Sequence, residues 1–164
     1  MTDSIKDSSD VCLAGHPFAP IGMGEHVRAT FRSLNAVYQP PQLHDIYKLV
    51  PASDDEVAEF GQAMVEDPAP INIFHINGNE VAGALEHINQ ARPWTGYNII
   101  YPLWELPRYP QEWAEQLDRF DEIWAASRFV MDGLKEVCSK PVVHMPLATE
   151  IQLDGFYSRR YFGL

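Results

Sequence analysis

The chain has 164 residues, 46% hydrophobic and 12% aromatic, with 12 Lys+Arg against 23 Asp+Glu for a formal net charge of −11. That length suits one domain with a core of ordinary size, since single domains run to about 100–200 residues. The acidic balance excludes a nucleic-acid footprint and argues against membrane contact through anionic lipid, because both depend on concentrated Lys and Arg. Residues 1–10 are polar where a signal peptide would be apolar, and they read as a flexible leader ahead of a folded unit spanning 11–150. Val11 to Ala14 form a short apolar strand closed by Gly15, and the Pro- and Gly-rich run from His16 to Gly24 reads as loop. From Glu25 onward, Val27, Phe31, Leu34 and Val37 recur at helical spacing and predict an amphipathic helix that Pro40 and Pro41 stop. A second strand is expected from Leu43 to Tyr47.

Ser53 with Glu56 makes a capping-box pattern, and Val57, Phe60 and Met64 supply the buried stripe of the next helix, which Pro68 and Pro70 end. The strand Ile71–Ile76 follows, then the turn Asn77-Gly78. A helix capped by Asn79 carries Val81, Ala84, Leu85 and Ile88. Tyr97–Tyr101 is a strand leading to Trp104-Glu105, and Pro110 suits the first turn of a helix bearing Trp113, Leu117 and Phe120. Glu122–Ala125 is a strand, Ser127 caps a helix with Val130, Leu134 and Val137, and Pro141–Met145 closes the series. Six strands alternating with five helices predict an α/β fold, a Rossmann-like doubly wound parallel sheet, because parallel neighbours require crossover connections. Ligands of such sheets sit at the carboxyl ends of the strands, near the reversal of strand order.

Charge divides unevenly, with 4 basic and 13 acidic residues in 1–90 against 8 and 10 in 91–164. The acidic run of Asp54, Asp55, Glu56, Glu59, Glu66 and Asp67 reads as a solvated helix face. Cys12 and Cys138 lie in apolar contexts that suit reduced thiols and a cytoplasmic location. No apolar run approaches the ~18 residues of a membrane span.

At the strand ends, Gly22-Met-Gly24 before a helix can bring backbone amides to an anionic or polar ligand, or can simply form a turn. A dinucleotide fingerprint would need glycine at Val27, but Asp45 stands near where a ribose contact belongs, so an NAD-dependent oxidoreductase is an alternative. His16, His75 and His144 lie at strand ends and His26 at a helix start. They are structural histidines or they face a common cleft, with His75 the best candidate because Asn77-Gly78 follows it. No pair of histidines has the spacing of a zinc site. Trp104 and Glu105 offer an aromatic face and a carboxylate for a sugar, or else a packed indole and a carboxylate that caps a helix or pairs with Arg108. Ser127-Arg128 is an anion site or a plain helix cap.

The run Gly15-His-Pro-Phe-Ala-Pro-Ile-Gly-Met-Gly-Glu-His-Val-Arg28 resembles group 1 (family 4) glycosyltransferases of the GT-B fold, as do Phe74-His-Ile-Asn-Gly78 and Tyr97-Asn-Ile-Ile-Tyr-Pro-Leu-Trp-Glu-Leu-Pro107. Phe120-Asp-Glu-Ile-Trp-Ala-Ala-Ser-Arg-Phe-Val130 and Pro141-Val-Val-His-Met-Pro146 extend the likeness over about 11–164, to the N-terminal half of such enzymes. The resemblance implies transfer of a sugar from a nucleotide-sugar to a carbohydrate or other acceptor with retention of configuration, commonly without a metal or other cofactor. It implies an acceptor-side domain here, a C-terminal donor-binding domain as its partner, and residues 151–164 as the start of the linker between them. By it, Gly22 and Gly24 match the glycine loop and Glu25 the helix start. Many family members place a sugar-contacting histidine where Trp104 or Glu105 stands. The candidate catalytic residues are therefore His75 and Glu105, and the candidate substrate-binding residues are Gly22, Gly24, Glu25, Asn77, Trp104, Ser127 and Arg128. The alternative to an enzyme is a non-catalytic interaction module whose exposed Trp94, Trp104 or Tyr157 marks a docking surface.

Overall fold

The structure, a computed structural model, describes residues 9–38, 40–48, 53–91, 93–149 and 155–164. Six strands, β1 (Val11–Gly15), β2 (Gln42–Asp45), β3 (Ile71–Phe74), β4 (Tyr97–Ile100), β5 (Glu122–Ala125) and β6 (Val142–His144), form one sheet in the order β2-β1-β3-β4-β5-β6. Every pairing is parallel. The helices α1 (Gly22–Val37), α2 (Asp54–Phe60), α3 (Val81–Ala91), α4 (Gln111–Leu117) and α5 (Arg128–Lys135) make the crossovers. The expected α/β, Rossmann-like doubly wound fold is the fold observed.

Two apolar cores arise from the alternation of side chains along each strand. Leu13, Ile73 and Ile99 point to one face, where Val27 and Phe31 of α1 and Phe60 of α2 cover them. Ala14, Phe74, Ile100, Ile123 and Ala125 point to the other, against Val81, Ala84 and Ile88 of α3, Leu117 of α4 and Leu134 of α5. Each large side chain buried this way contributes about 1.5–3 kcal/mol. Among the described residues, no helix is long and apolar enough to cross a membrane.

The element boundaries differ from the expected ones in three places. Helix α1 begins at Gly22, so the glycines read as loop are its first turn, and Val37 at its other end is 81% exposed rather than part of the buried stripe. Ser53 does cap α2, its Oγ accepting from the Glu56 amide at 3.2 Å, but the helix stops at Phe60, well before the prolines. The chain then makes a 3-10 turn over Gly61–Ala63, and Met64 pairs with Leu43 as an isolated parallel bridge on the outer side of β2. Met64 is therefore drawn to the sheet edge instead of the helix stripe. Counting that bridge as the stub of a further strand, the chain runs outward from β1 through β2 to Met64 and then returns to β3, the course of doubly wound nucleotide-binding sheets. The strand order reverses between β1 and β3.

Ser9 and Asp10, assigned to the leader, belong to the folded unit. Ser9 is buried, its Oγ accepting from the Val11 amide, and the Asp10 carbonyl accepts from the Ile71 amide at 2.9 Å. Residues 1–8 of the expected leader and 150–154 at the start of the expected linker lie outside the described residues. Residues 155–164 are exposed and contain a 3-10 turn over Arg159–Phe162.

Candidate ligand-binding cleft

An open cleft of about 710 Å³ lies at the carboxyl edge of the sheet. Helix α1 makes one wall with Gly22, Glu25, His26, Ala29 and Arg32, and Glu59 of α2 extends it. Leu103, just past β4, and Leu147, Ala148 and Thr149, past β6, line the rest. The α1 residues fall at i, i+3, i+4, i+7 and i+10 from Gly22, which puts them on one side of the helix, away from the core stripe of Val27 and Phe31.

The two glycines of the first turn differ in role. A Cβ on Gly24 would lie 2.2 Å from the Ala19 carbonyl oxygen and 2.9 Å from that of His16, so only glycine lets the 16–19 loop fold against the helix. A Cβ on Gly22 would meet nothing within 4 Å, and Gly22 borders the cleft. The N-cap residue Ile21 has no side-chain cap to offer the first-turn amides. Arg28, almost fully buried, fixes the loop. Its Nη1 donates to the Pro17 carbonyl at 2.9 Å and to the Ala19 carbonyl at 3.2 Å, and its Nε donates to Glu25 Oε2 at 2.9 Å.

An ion-pair network runs along the helix wall. Arg32 is bidentate to Glu59, with Nε to Oε1 and Nη2 to Oε2 both at 2.9 Å, and its Nη1 lies 3.5 Å from Glu25 Oε1. These bonds hold the Glu59 carboxyl below its ordinary pKa. Arg28 Nη1 reaches Glu56 Oε1 at 3.5 Å.

From His26 of the wall inward, the rings of His26, His75 and Tyr101 form a buried aromatic cluster. The His26 ring stands edge-on to His75 at 4.4 Å and to Tyr101 at 4.2 Å. Neither nitrogen of either imidazole has a hydrogen-bond partner among the described residues, and the two side chains are 6% and 0% exposed. Burial pushes the His26 pKa down to about 4 and that of His75 well below its ordinary value, the neighbouring His26 adding to the second shift. Burial also lifts the Tyr101 phenol to about 12, and its hydroxyl donates to the Met145 carbonyl at 2.5 Å. That bond ties β4 to the β6 exit that lines the cleft.

The candidates read from the sequence are only partly brought together. Gly22 and Glu25 line the cleft, Gly24 shapes the loop beside it, and His75 sits sealed beneath it. Asn77 acts one step away, its Oδ1 accepting from the Leu103 amide at 3.0 Å and so setting the β4 exit. Trp104 is packed rather than offered to a ligand. Its ring contacts Tyr109 and Trp113, and its Nε1 donates to the Arg108 carbonyl at 3.0 Å. Glu105 is exposed and outside the cleft lining, and no ion pair joins it to Arg108 among the described residues. Ser127 is a helix cap, its Oγ accepting from the Val130 amide at 3.2 Å, and Arg128 is exposed beyond it.

The strand-end histidines His16 and His75 do not share one cleft. His16 turns toward α3, its Nε2 3.2 Å from Glu80 Oε2 and its ring stacked on Tyr47. Asp45, expected near a ribose, is buried, with Oδ1 accepting from the Lys48 amide at 3.1 Å. Of the aromatics expected to mark a docking surface, Trp94 packs between His44 and Phe74, and only Tyr157 is strongly exposed.

Neither Arg32 nor Thr149 carries a signal of its own in the sequence, and Glu59, expected on a solvated helix face, lines the cleft. The pairing of Arg32 with Glu59 across 27 residues has no local signal, although the spacing of Glu25, Ala29 and Arg32 does mark a second helix face. Among the described residues, no cluster of three or more His, Cys, Asp or Glu side chains could hold a metal ion. The chain matches no protein-family model and no curated protein.

Proposed function

We propose that this chain is the acceptor-side domain of a retaining glycosyltransferase, which moves a sugar from a nucleotide-sugar to an acceptor held in the cleft. The observation that carries the reading is the makeup of that cleft, at the carboxyl edge of a doubly wound sheet. Two carboxylates and Thr149 offer partners for hydroxyl groups, while Ala29, Leu103, Ala148 and Leu147 offer apolar contact for the C–H faces of a sugar. This fits the rule for ligand placement in such sheets and the likeness of the glycine, Trp-Glu-Leu-Pro and Asp-Glu-Ile-Trp segments to family 4 enzymes.

A departing nucleoside diphosphate is stabilised in such transfers by cationic groups. Among the described residues, the arginine lining this cleft, Arg32, is already bidentate to Glu59. The basic half of the donor site is therefore assigned to a separate donor-binding domain, and the 164-residue chain alone should show no turnover. The reduced, buried thiol of Cys12 is in keeping with a cytoplasmic enzyme.

The test is an NMR titration of the chain with uridine, guanosine and adenosine diphosphate hexoses, with NAD as competitor, alongside a transfer assay. Shifts confined to Gly22–Ala29, Leu103 and Leu147–Thr149, without product formation, are the expected result. Sugar transfer by the chain alone would refute the division of labour, and firm NAD binding in place of sugar nucleotides would replace the reading with that of an oxidoreductase.

A further inference from the structure

An all-parallel sheet is normally buried on both faces, because its crossover connections lay helices on each side. Here the cover is uneven. On the face that holds Ala14, Phe74, Ile100, Ile123 and Ala125, helices α3, α4 and α5 supply it. On the opposite face α1 and α2 cover Leu13, Ile73 and Ile99, whereas the helix packed on β5 and β6 is α5, which lies on the first face. The register sets Ile99 beside Glu122 and Trp124 beside Val143 on the half left open. Trp124 is only partly buried and Val143 is 38% exposed. Tyr97, two residues before Ile99 and so on the same face, is 43% exposed. Between them Glu122 accepts from Trp124 Nε1 at 2.6 Å and from the Tyr97 hydroxyl at 3.1 Å, and no cation pairs with it among the described residues.

A cover for this patch has to meet two conditions. It must bring apolar side chains to Tyr97, Trp124 and Val143, and it must bring a cation, because an apolar cover alone would bury the Glu122 carboxylate unpaired. Residues 155–164 meet both. Phe156, Tyr157, Tyr161, Phe162 and Leu164 are all strongly exposed, Phe156 to 96%. Arg159 and Arg160 stand exposed among them, with no acidic residue in the segment and no ion pair among the described residues. The segment is preformed. The Tyr161 amide donates to the Ser158 carbonyl at 2.9 Å, and the Tyr161 ring lies 4.4 Å from Tyr157 and 5.1 Å from Phe162. Among the described residues these contacts are internal to the segment, so it is not seated on its own sheet.

We propose that two copies of this chain associate by exchanging residues 155–164, each segment lying on the open half-face of the other copy with its arginines against Glu122. A guanidinium there can pair with the carboxylate and stack on the Trp124 indole together. The exchange is two-fold symmetric, so the same contact is made twice. Phe and Tyr rings bury about 150–250 Å² each, so the rings of two segments reach the ~1,200–2,000 Å² of a specific association. The contact uses the face of the sheet and neither of its edges. It involves none of the cleft residues and stands apart from the glycosyltransferase reading.

Sedimentation velocity over about a hundredfold range of concentration should show monomer giving way to dimer, with a dissociation constant on the order of micromolar. Arg159→Ala with Arg160→Ala should weaken the dimer about tenfold or more, and so should Glu122→Gln; all three together should cost no more than either, because they remove the same contact. Tyr161→Ser with Phe162→Ser should leave a monomer. Those side chains touch only their own segment, so circular dichroism should be unchanged. A nitroxide on Ser158→Cys, in a Cys138→Ser background, should broaden the Trp124 indole signal of an isotope-labelled copy mixed with it.

A monomer at every concentration would overturn the proposal, as would a dimer indifferent to the substitutions in the segment. Broadening of Trp124 only by a nitroxide on the same chain, in a monomer, would seat the segment on its own sheet and overturn the exchange.

Discussion

At Gly24 and Gly22, two residues apart, the same substitution should have opposite effects. Gly24→Ala drives a methyl group into the Ala19 carbonyl, and because the contact is backbone, the 16–19 loop must move. A loss of about 1–3 kcal/mol is expected in urea unfolding. Gly22→Ala meets nothing and sits at the helix start without a positive φ, so it should leave stability unchanged or raise it by about 0.5 kcal/mol. Its methyl projects beside the cleft, so any binding to the helix wall should weaken while the melting temperature holds. Equal destabilisation by both substitutions would show that Gly22 is packed. The sequence marks both residues as a pair of small residues before a helix, and it cannot separate them, because the carbonyls that make Gly24 obligatory belong to a loop held by Arg28.

At the scale of the element, α5 offers a clean separation between cap and anion site. Ser127 satisfies the Val130 amide, so Ser127→Ala should cost about 1 kcal/mol in stability and leave ligand binding at the cleft untouched. Lost binding with unchanged stability would return Ser127 to the candidate site. Elements were legible wherever a local signal set them: the caps at Ser53 and Ser127, the apolar stripe of α1 through Leu34, and the short β-branched strands. Boundaries shifted where a distant partner decided. Met64 left its expected helix because Leu43 offered an open strand edge, and Gly22 joined its helix because Arg28 clamps the loop ahead of it. The cleft was half legible for the same reason. Gly22 and Glu25 follow from position at a strand-to-helix junction, whereas Arg32 and Glu59 meet through packing of α1 on α2. Trp104 and Glu105 allow two readings by residue type, a sugar contact or a packed indole with a capping or paired carboxylate, and the indole takes the packed one, against Tyr109, Trp113 and the Arg108 carbonyl.

For the molecule as a whole, the buried imidazoles set a limit on the acid side. An unfolded His26 takes up a proton below about 6.5, while the folded one resists until about 4, so stability is complete above 6.5 and declines as the pH falls between those values. The loss over that window is on the order of 3 kcal/mol for His26, with His75 extending it further. Urea midpoints at pH 7 and pH 4.5 check the slope, and His26→Phe, which keeps the aromatic contacts, should flatten it. A slope unchanged in His26→Phe would assign the acid loss to other groups.

The Met64 bridge has a further consequence at this scale. A parallel sheet presents two rows of unpaired amides and carbonyls to any passing chain. On the β2 side the Leu43 carbonyl is taken by the Val65 amide at 2.8 Å, and the His44 ring meets the Val65 carbonyl at 3.0 Å. The prolines at 68 and 70 follow. On the far side β6 is only three residues long. The sheet thus ends in a plugged border and a short one, leaving little length on which a second molecule could add a strand, a safeguard against self-association during folding.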